Sequence, residues 1–164
     1  MKIECVLGDI TQQQDCQAIA NAANNMLLPG AGIAGAIHKA AGRELEKYCE
    51  QYAPIEVGQA VISPGFNLVN PLVIHVLGPK YFSDVNPEEN LSKAIRSTLA
   101  IANENQVASL ALPALSTGSY GFPLKPAAEI IVRELRRWSS PYPERVRMVL
   151  FDKKSYDEFN SLIQ

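Results

Sequence analysis

The 164 residues predict an α/β fold, a three-layer α/β/α sandwich around a central mixed, mostly parallel sheet. Short β-rich runs alternate with helical patterns along the chain, the order that lays helices on both faces of a sheet. Hydrophobic residues make up 47% and charged residues 20%, a balance that builds a packed core rather than a disordered chain. The length suits one domain and falls short of two full-sized ones, so residues 1–164 read as a single unit.

Six strands are predicted, at Lys2–Leu7, Ala18–Ala22, Gln59–Ile62, Leu72–Val76, Ser109–Leu112 and Arg147–Phe151. The third and fourth have no room between them for a crossover helix, which suggests an antiparallel pair. Helical patterns fill the other gaps. Ile33–Ala41 is small and apolar, and Arg43–Tyr52 follows beyond Gly42. Pro87–Glu104 opens on Pro and two acids, the charge order of a helix N-terminus. Pro126–Trp138 carries Ala127, Ile130, Ile131, Leu135 and Trp138 at helical spacing. Ser155–Ile163 offers a Ser cap and a short amphipathic helix.

Lys plus Arg is 15 and Asp plus Glu is 17, a net charge of −2 that argues against binding nucleic acid through phosphate neutralisation. Charges or prolines break every apolar run before the roughly 20 residues of a membrane span. Met1–Leu7 carries charge within its apolar stretch and lacks the h-region of an export signal. Cys5, Cys16 and Cys49 have no paired spacing, so no disulfide framework or zinc site is readable, and a cytoplasmic monomer is expected. No metal or cofactor is called for.

Three loops follow predicted strands, where open α/β sheets place their ligands. In Gly8-Asp9-Ile10-Thr11, Asp9 either accepts from a ligand amine or hydroxyl or merely caps the next turn. The second loop, Asn21-Ala22-Ala23-Asn24 running on to Gly30-Ala31-Gly32-Ile33-Ala34-Gly35, pairs asparagines with glycines ahead of a helix. Backbone N–H groups at such a helix start suit a phosphate or diphosphate. Its Gly30, Gly32 and Gly35 formally spell the dinucleotide fingerprint. Asn24–Pro29 separate them from the strand, however, and no acid-tipped second strand follows. The third loop, Ser116-Thr117-Gly118-Ser119-Tyr120-Gly121, gathers hydroxyls, free N–H groups and an aromatic, and reads as the other jaw of a diphosphate clamp. His38 and His75 lie in framework segments and read as structural. Arg133, Arg136 and Arg137, with Arg145 and Arg147, read as a solvated basic patch without assigned function.

Taken in order, these loops resemble those of a macrodomain, the ADP-ribose-binding α/β/α module. Ile74-His75-Val76-Leu77-Gly78-Pro79 and Leu112–Pro123 match as well, so that the resemblance spans almost the whole chain. It implies that Asp9 holds the adenine amine with the Ile10 backbone beside the base. Gly30, Ala31, Gly32, Ile33 and Ala34 would wrap the diphosphate together with Ser116, Thr117, Gly118, Ser119 and Tyr120. Asn24 would position the distal ribose, with Tyr120 packed against it, while Asn21 would order the loop. The implied partners are ADP-ribose and ADP-ribosylated proteins or metabolites. Hydrolytic members of the MacroD-like group carry an acid where this chain has Ala34, although viral members with alanine there hydrolyse through a phosphate-held water. The resemblance therefore implies hydrolysis of mono-ADP-ribosylated side chains or O-acetyl-ADP-ribose, with a non-catalytic reader as the alternative.

Overall fold

A computed structural model describes residues 1–164. Six strands, β1 (Lys2–Leu7), β2 (Ala18–Ala22), β3 (Ala60–Pro64), β4 (Leu72–Val76), β5 (Ser109–Leu112) and β6 (Arg145–Leu150), form one sheet in the order β1-β6-β5-β2-β4-β3. Every pairing is parallel except β3 with β4, which runs antiparallel from Ala60 opposite Val76 to Pro64 opposite Leu72. The helices are α1 (Gly32–Ala41), α2 (Arg43–Cys49), α3 (Pro87–Glu104), α4 (Leu124–Arg137) and α5 (Lys153–Ile163). None is long and apolar enough to cross a membrane.

The period-two alternation of the strands separates two cores. Ala18, Ala20, Ile74, Val76, Leu110, Leu112, Val146 and Met148 face α3, α4 and α5, joining Leu91, Ile95, Leu99, Ile131 and Phe159. Ile19, Val73, Ala111 and Val149 face the other way, onto Ile37 and Ala41 of α1 and Leu45 and Cys49 of α2. The central strands are apolar on both sides because both faces are covered.

Several ends differ from the sequence expectation. β3 runs Ala60–Pro64 rather than Gln59–Ile62, because its span is set by β4; Gln59 instead accepts from the Glu56 N–H in the preceding turn. β6 runs Arg145–Leu150 rather than Arg147–Phe151. Arg145 finds partners in Lys2 and Ser109, while β1 stops opposite Leu150 and releases Phe151. Arg43–Tyr52 divides into α2 and a 3-10 turn at Glu50–Tyr52. α1 begins one residue early, at Gly32. α4 begins at Leu124 rather than Pro126, since a proline is tolerated in a first turn, and ends at Arg137 with Trp138 already extended. α5 begins at Lys153 and its cap is Asp152, whose carboxylate accepts from the Ser155 N–H at 2.8 Å, so Ser155 lies inside the helix.

The basic patch is not one surface. Arg145 and Arg147 lie on β6 and pair with Glu4 and Asp15, whereas Arg133, Arg136 and Arg137 belong to α4.

β2 and β5 are neighbours, yet β2 leads to α1 on one face and β5 to α4 on the opposite face. The chain diverges above their carboxyl ends, which leaves a crevice at the switch point of the sheet.

Candidate functional site

That crevice holds a cavity of about 360 Å³. Its floor is Ala22 at the end of β2 and Ala23 just after it, Gly78 beyond β4, and Ala114 and Leu115 beyond β5. One jaw is Asn24, Gly30, Ala31, Gly32, Ile33 and Ala34; the other is Ser116, Gly118, Ser119 and Tyr120. Loops expected to be two halves of a clamp thus face each other across one space.

Both jaws offer donors. Ala31 occupies the α1 N-cap and supplies no side-chain oxygen, so the first-turn N–H groups lack a protein acceptor and carry the positive end of the helix dipole. In the opposite loop Thr117 N–H closes onto Ala114 O and Gly121 N–H onto Gly118 O, while the N–H groups of Gly118, Ser119 and Tyr120 donate to no backbone acceptor. Ser116 adopts φ +69°, a left-handed backbone rare for a residue with a Cβ. The floor is glycine at Gly78 because a Cβ there would strike the Ser116 hydroxyl.

Four expected residues lie outside the cavity lining. Asp9 caps the 3-10 turn Ile10–Gln12, accepting from the Thr11 N–H at 2.8 Å and the Thr11 hydroxyl at 2.7 Å, and Ile10 is buried beneath it. Both stand at the carboxyl end of β1, along the same sheet edge as the cavity but beyond β6. Thr117 turns its hydroxyl onto Ala114 O at 2.7 Å, holding the loop rather than lining it. Asn21 is buried in β2, with Nδ2 3.0 Å from His75 Nδ1.

Asn24 lines the cavity with its orientation already set. Its Nδ2 donates to Leu28 O at 2.8 Å and its Oδ1 accepts from the Leu28 N–H at 2.9 Å. An amide has two donor hydrogens and two acceptor lone pairs, so one of each remains available.

Ala34 is 5% exposed and stands in the first turn of α1 on the cavity wall. No carboxylate or imidazole lines the cavity, and Tyr120 is its one titratable group. Burial raises the Tyr120 phenol above its usual range, with Asp84 adding to the effect. The histidines sit in the core. His75 is pushed down to about 3 by burial and then by His38, whose own value is lowered by burial against a small opposing effect of Glu46.

One residue near Asp9 on this edge is not among the candidates that the sequence offers. Phe151, 88% exposed, leaves β6 beside Gly8, whose N–H donates to Leu150 O at 2.8 Å. An open aromatic face so near Asp9 suits a flat ring. Its signal in the sequence is an aromatic at the end of a predicted strand, which the structure places just outside β6.

Comparison with known proteins agrees with this geometry. The family model described as Macro domain matches residues 20–131. An O-acetyl-ADP-ribose deacetylase of Salmonella gallinarum is 40% identical over 161 residues, covering 94% of this chain and 89% of that protein. The ADP-ribose glycohydrolase MACROD2 of Xenopus laevis is 36% identical over 92% of this chain, though only 36% of its own length is matched. Among solved structures, an Oceanobacillus iheyensis macrodomain with ADP superposes with a TM-score of 0.91 at 33% identity, covering 97% of this chain and 88% of that one. A Trypanosoma brucei macrodomain in complex with ADP-ribose gives 0.91 at 30% identity, covering 99% and 69%. The chain belongs to the macro domain family.

Proposed function

We propose that the crevice binds ADP-ribose and that the protein hydrolyses ADP-ribose adducts, either mono-ADP-ribosylated protein side chains or O-acetyl-ADP-ribose. The observation that carries this reading is the opposition of two sets of free N–H groups, the first turn of α1 and Gly118–Tyr120, across a space sized for a diphosphate. Asp9 and Phe151, further along the same edge, would take the adenine amine and ring face. Asn24 and Tyr120 would hold the distal ribose. The names of the Salmonella gallinarum and Xenopus laevis relatives support a hydrolase of this type.

With Ala34 where a base would stand, the attacking water has no protein carboxylate beside it. The diphosphate of the substrate would accept its proton, and the remaining Asn24 N–H would orient the ribose. The same observation supports a second reading, a reader that binds ADP-ribose without turnover. The free thiols Cys5, Cys16 and Cys49 fit a reducing compartment, and we place the protein in the cytoplasm.

Incubation with mono-ADP-ribosylated protein, scored for ADP-ribose release beside calorimetry with free ADP-ribose, tests both readings. Release with binding supports the hydrolase. Binding without release supports the reader, and no binding removes both.

A further inference from the structure

Beyond Tyr120 the crevice continues into a second space. A cavity of about 380 Å³ shares Ser119 and Tyr120 with the first and adds Lys80, Phe82, Ser83 and Gly121. Its outer wall is built rather than incidental. The loop after β4 is tied to the third loop by the Tyr81 N–H, which donates to Tyr120 O at 2.9 Å. The Tyr81 ring stacks edge-on against Phe122 at 4.9 Å on one side and Phe82 at 5.0 Å on the other. Gly121, at φ +75°, brings its Cα side against the Phe82 ring, which would lie 3.2 Å from a Cβ placed there. Phe82 is thus fixed from two directions and still 86% exposed.

Lys80 supplies the charge. Its Nζ lies 5.4 Å from the centroid of the Tyr120 ring and takes part in none of the ion pairs of the chain. The nearby Asp84 carboxylate accepts from the Lys80 backbone N–H at 2.7 Å, and the ammonium over the Tyr120 ring has no carboxylate within ion-pair distance.

We propose that Lys80 and Phe82 form a subsite for the group attached to the distal ribose, and that its occupant is an acidic segment of the protein bearing the modification. This rests on the reading of the first cavity as an ADP-ribose site. Adducts are carried on the distal ribose, the end assigned to Tyr120, so the modified chain must leave past Tyr120. The second cavity is the space it enters. An unpaired cation there favours carboxylates, and the fixed aromatic gives apolar stems a face to cover.

The test uses two peptides carrying ADP-ribose through an unhydrolysable linkage, one flanked by glutamates and one by lysines, with free ADP-ribose alongside. The wild type is expected to bind the glutamate peptide about 3- to 10-fold more tightly than the lysine peptide, with the difference shrinking at high salt. Lys80→Glu should reverse that order. Phe82→Ala should weaken both peptides several-fold, and neither variant should change the affinity for free ADP-ribose. Equal affinity of the wild type for the two peptides would overturn the subsite, as would an unchanged preference in Lys80→Glu. A di-ADP-ribose that binds more tightly than the glutamate peptide, and loses that advantage in Phe82→Ala, would overturn it in favour of a nucleotide occupant. Failure of free ADP-ribose to bind removes the underlying reading instead, and so the two failures are distinguishable.

Discussion

Asn21 and His75 stand opposite each other in register across β2 and β4, with Nδ2 of the amide 3.0 Å from Nδ1 of the ring. Since an amide N–H donates, Nδ1 must accept, and the ring proton lies on Nε2. From there it donates to the Ser63 hydroxyl at 2.8 Å, which in turn donates to Pro64 O at 3.1 Å. A neutral imidazole therefore links three strands directly beneath the ligand loops. This is a structural task, as the sequence suggested for His75.

The first prediction concerns acid. His75 takes its proton near pH 3 in the folded protein and near 6.5 in the unfolded one. Between those values the unfolded state binds more protons, so stability falls as pH drops through the window, by up to about 1.4 kcal/mol per unit. Urea unfolding from pH 7 to pH 4 should show this slope, and His75→Asn should flatten it relative to wild type. Parallel slopes would mean that the ring is not held neutral.

Asp9→Ala should weaken ADP-ribose and ADP alike, by about 1.5–3 kcal/mol for a charge-assisted bond. Because Asp9 also caps the Ile10–Gln12 turn, Asp9→Asn is the informative control, since it keeps the cap and removes the charge. Calorimetry of both ligands with both variants decides. If Asp9→Ala binds normally, Asp9 is only a cap.

Asn24→Ala should loosen the loop and slow turnover more than it weakens binding, because it removes both bonds to Leu28 and the ribose contact together. Asn24→Asp keeps the acceptor for the Leu28 N–H and should fall between the two. Single-turnover rates beside ADP-ribose affinities make the comparison; turnover equal to wild type in Asn24→Ala takes the residue out of the mechanism.

Ala34→Asp is expected to fold, since an acid in the first turn of α1 is favoured by the helix dipole. It places a carboxylate on the cavity wall. Hydrolysis of an ester-linked substrate should rise by about 10²-fold, while repulsion from the diphosphate lowers ADP-ribose affinity. No gain in rate would show that the missing acid does not limit this site.

Arg147 grips Asp15 through two bonds of 2.6 Å and reaches Glu4 at 3.2 Å, which holds the Asp15 carboxyl well below its usual range. A carboxylate with a depressed folded value stabilises above about pH 4 and stops doing so as pH falls further. Asp15→Asn should cost on the order of 1 kcal/mol at neutral pH and low salt, and less in molar salt. Thermal unfolding at two salt concentrations checks this; a loss that is independent of salt would contradict it.

Alternation and punctuation carried most of this fold. β1, β2, β4 and β5, and the whole of α3, lie where apolar runs and the Pro-Glu-Glu start put them. The less legible features depend on partners far along the chain. Nothing local to Arg145 and Arg147 says that they meet Glu4 and Asp15 rather than the arginines of α4. Phe151 leaves the sheet because β1 ends, which the β6 sequence does not encode. At the site, the two jaws were readable from glycines and hydroxyls. The fixing of Asn24 by Leu28 and the turning of Thr117 onto Ala114 are choices among hydrogen-bond partners that only the folded backbone offers.

β1 has a single neighbour in the sheet, and that neighbour is β6, the last strand made. On a ribosome the first strand to emerge must therefore wait, unpaired, until nearly all the chain has followed it. β2, β4 and β5 can zip together earlier, while Lys2–Leu7 remains an open edge seeking a partner. Assembly is thus ordered by topology. The end of the sheet that carries Asp9 is completed last.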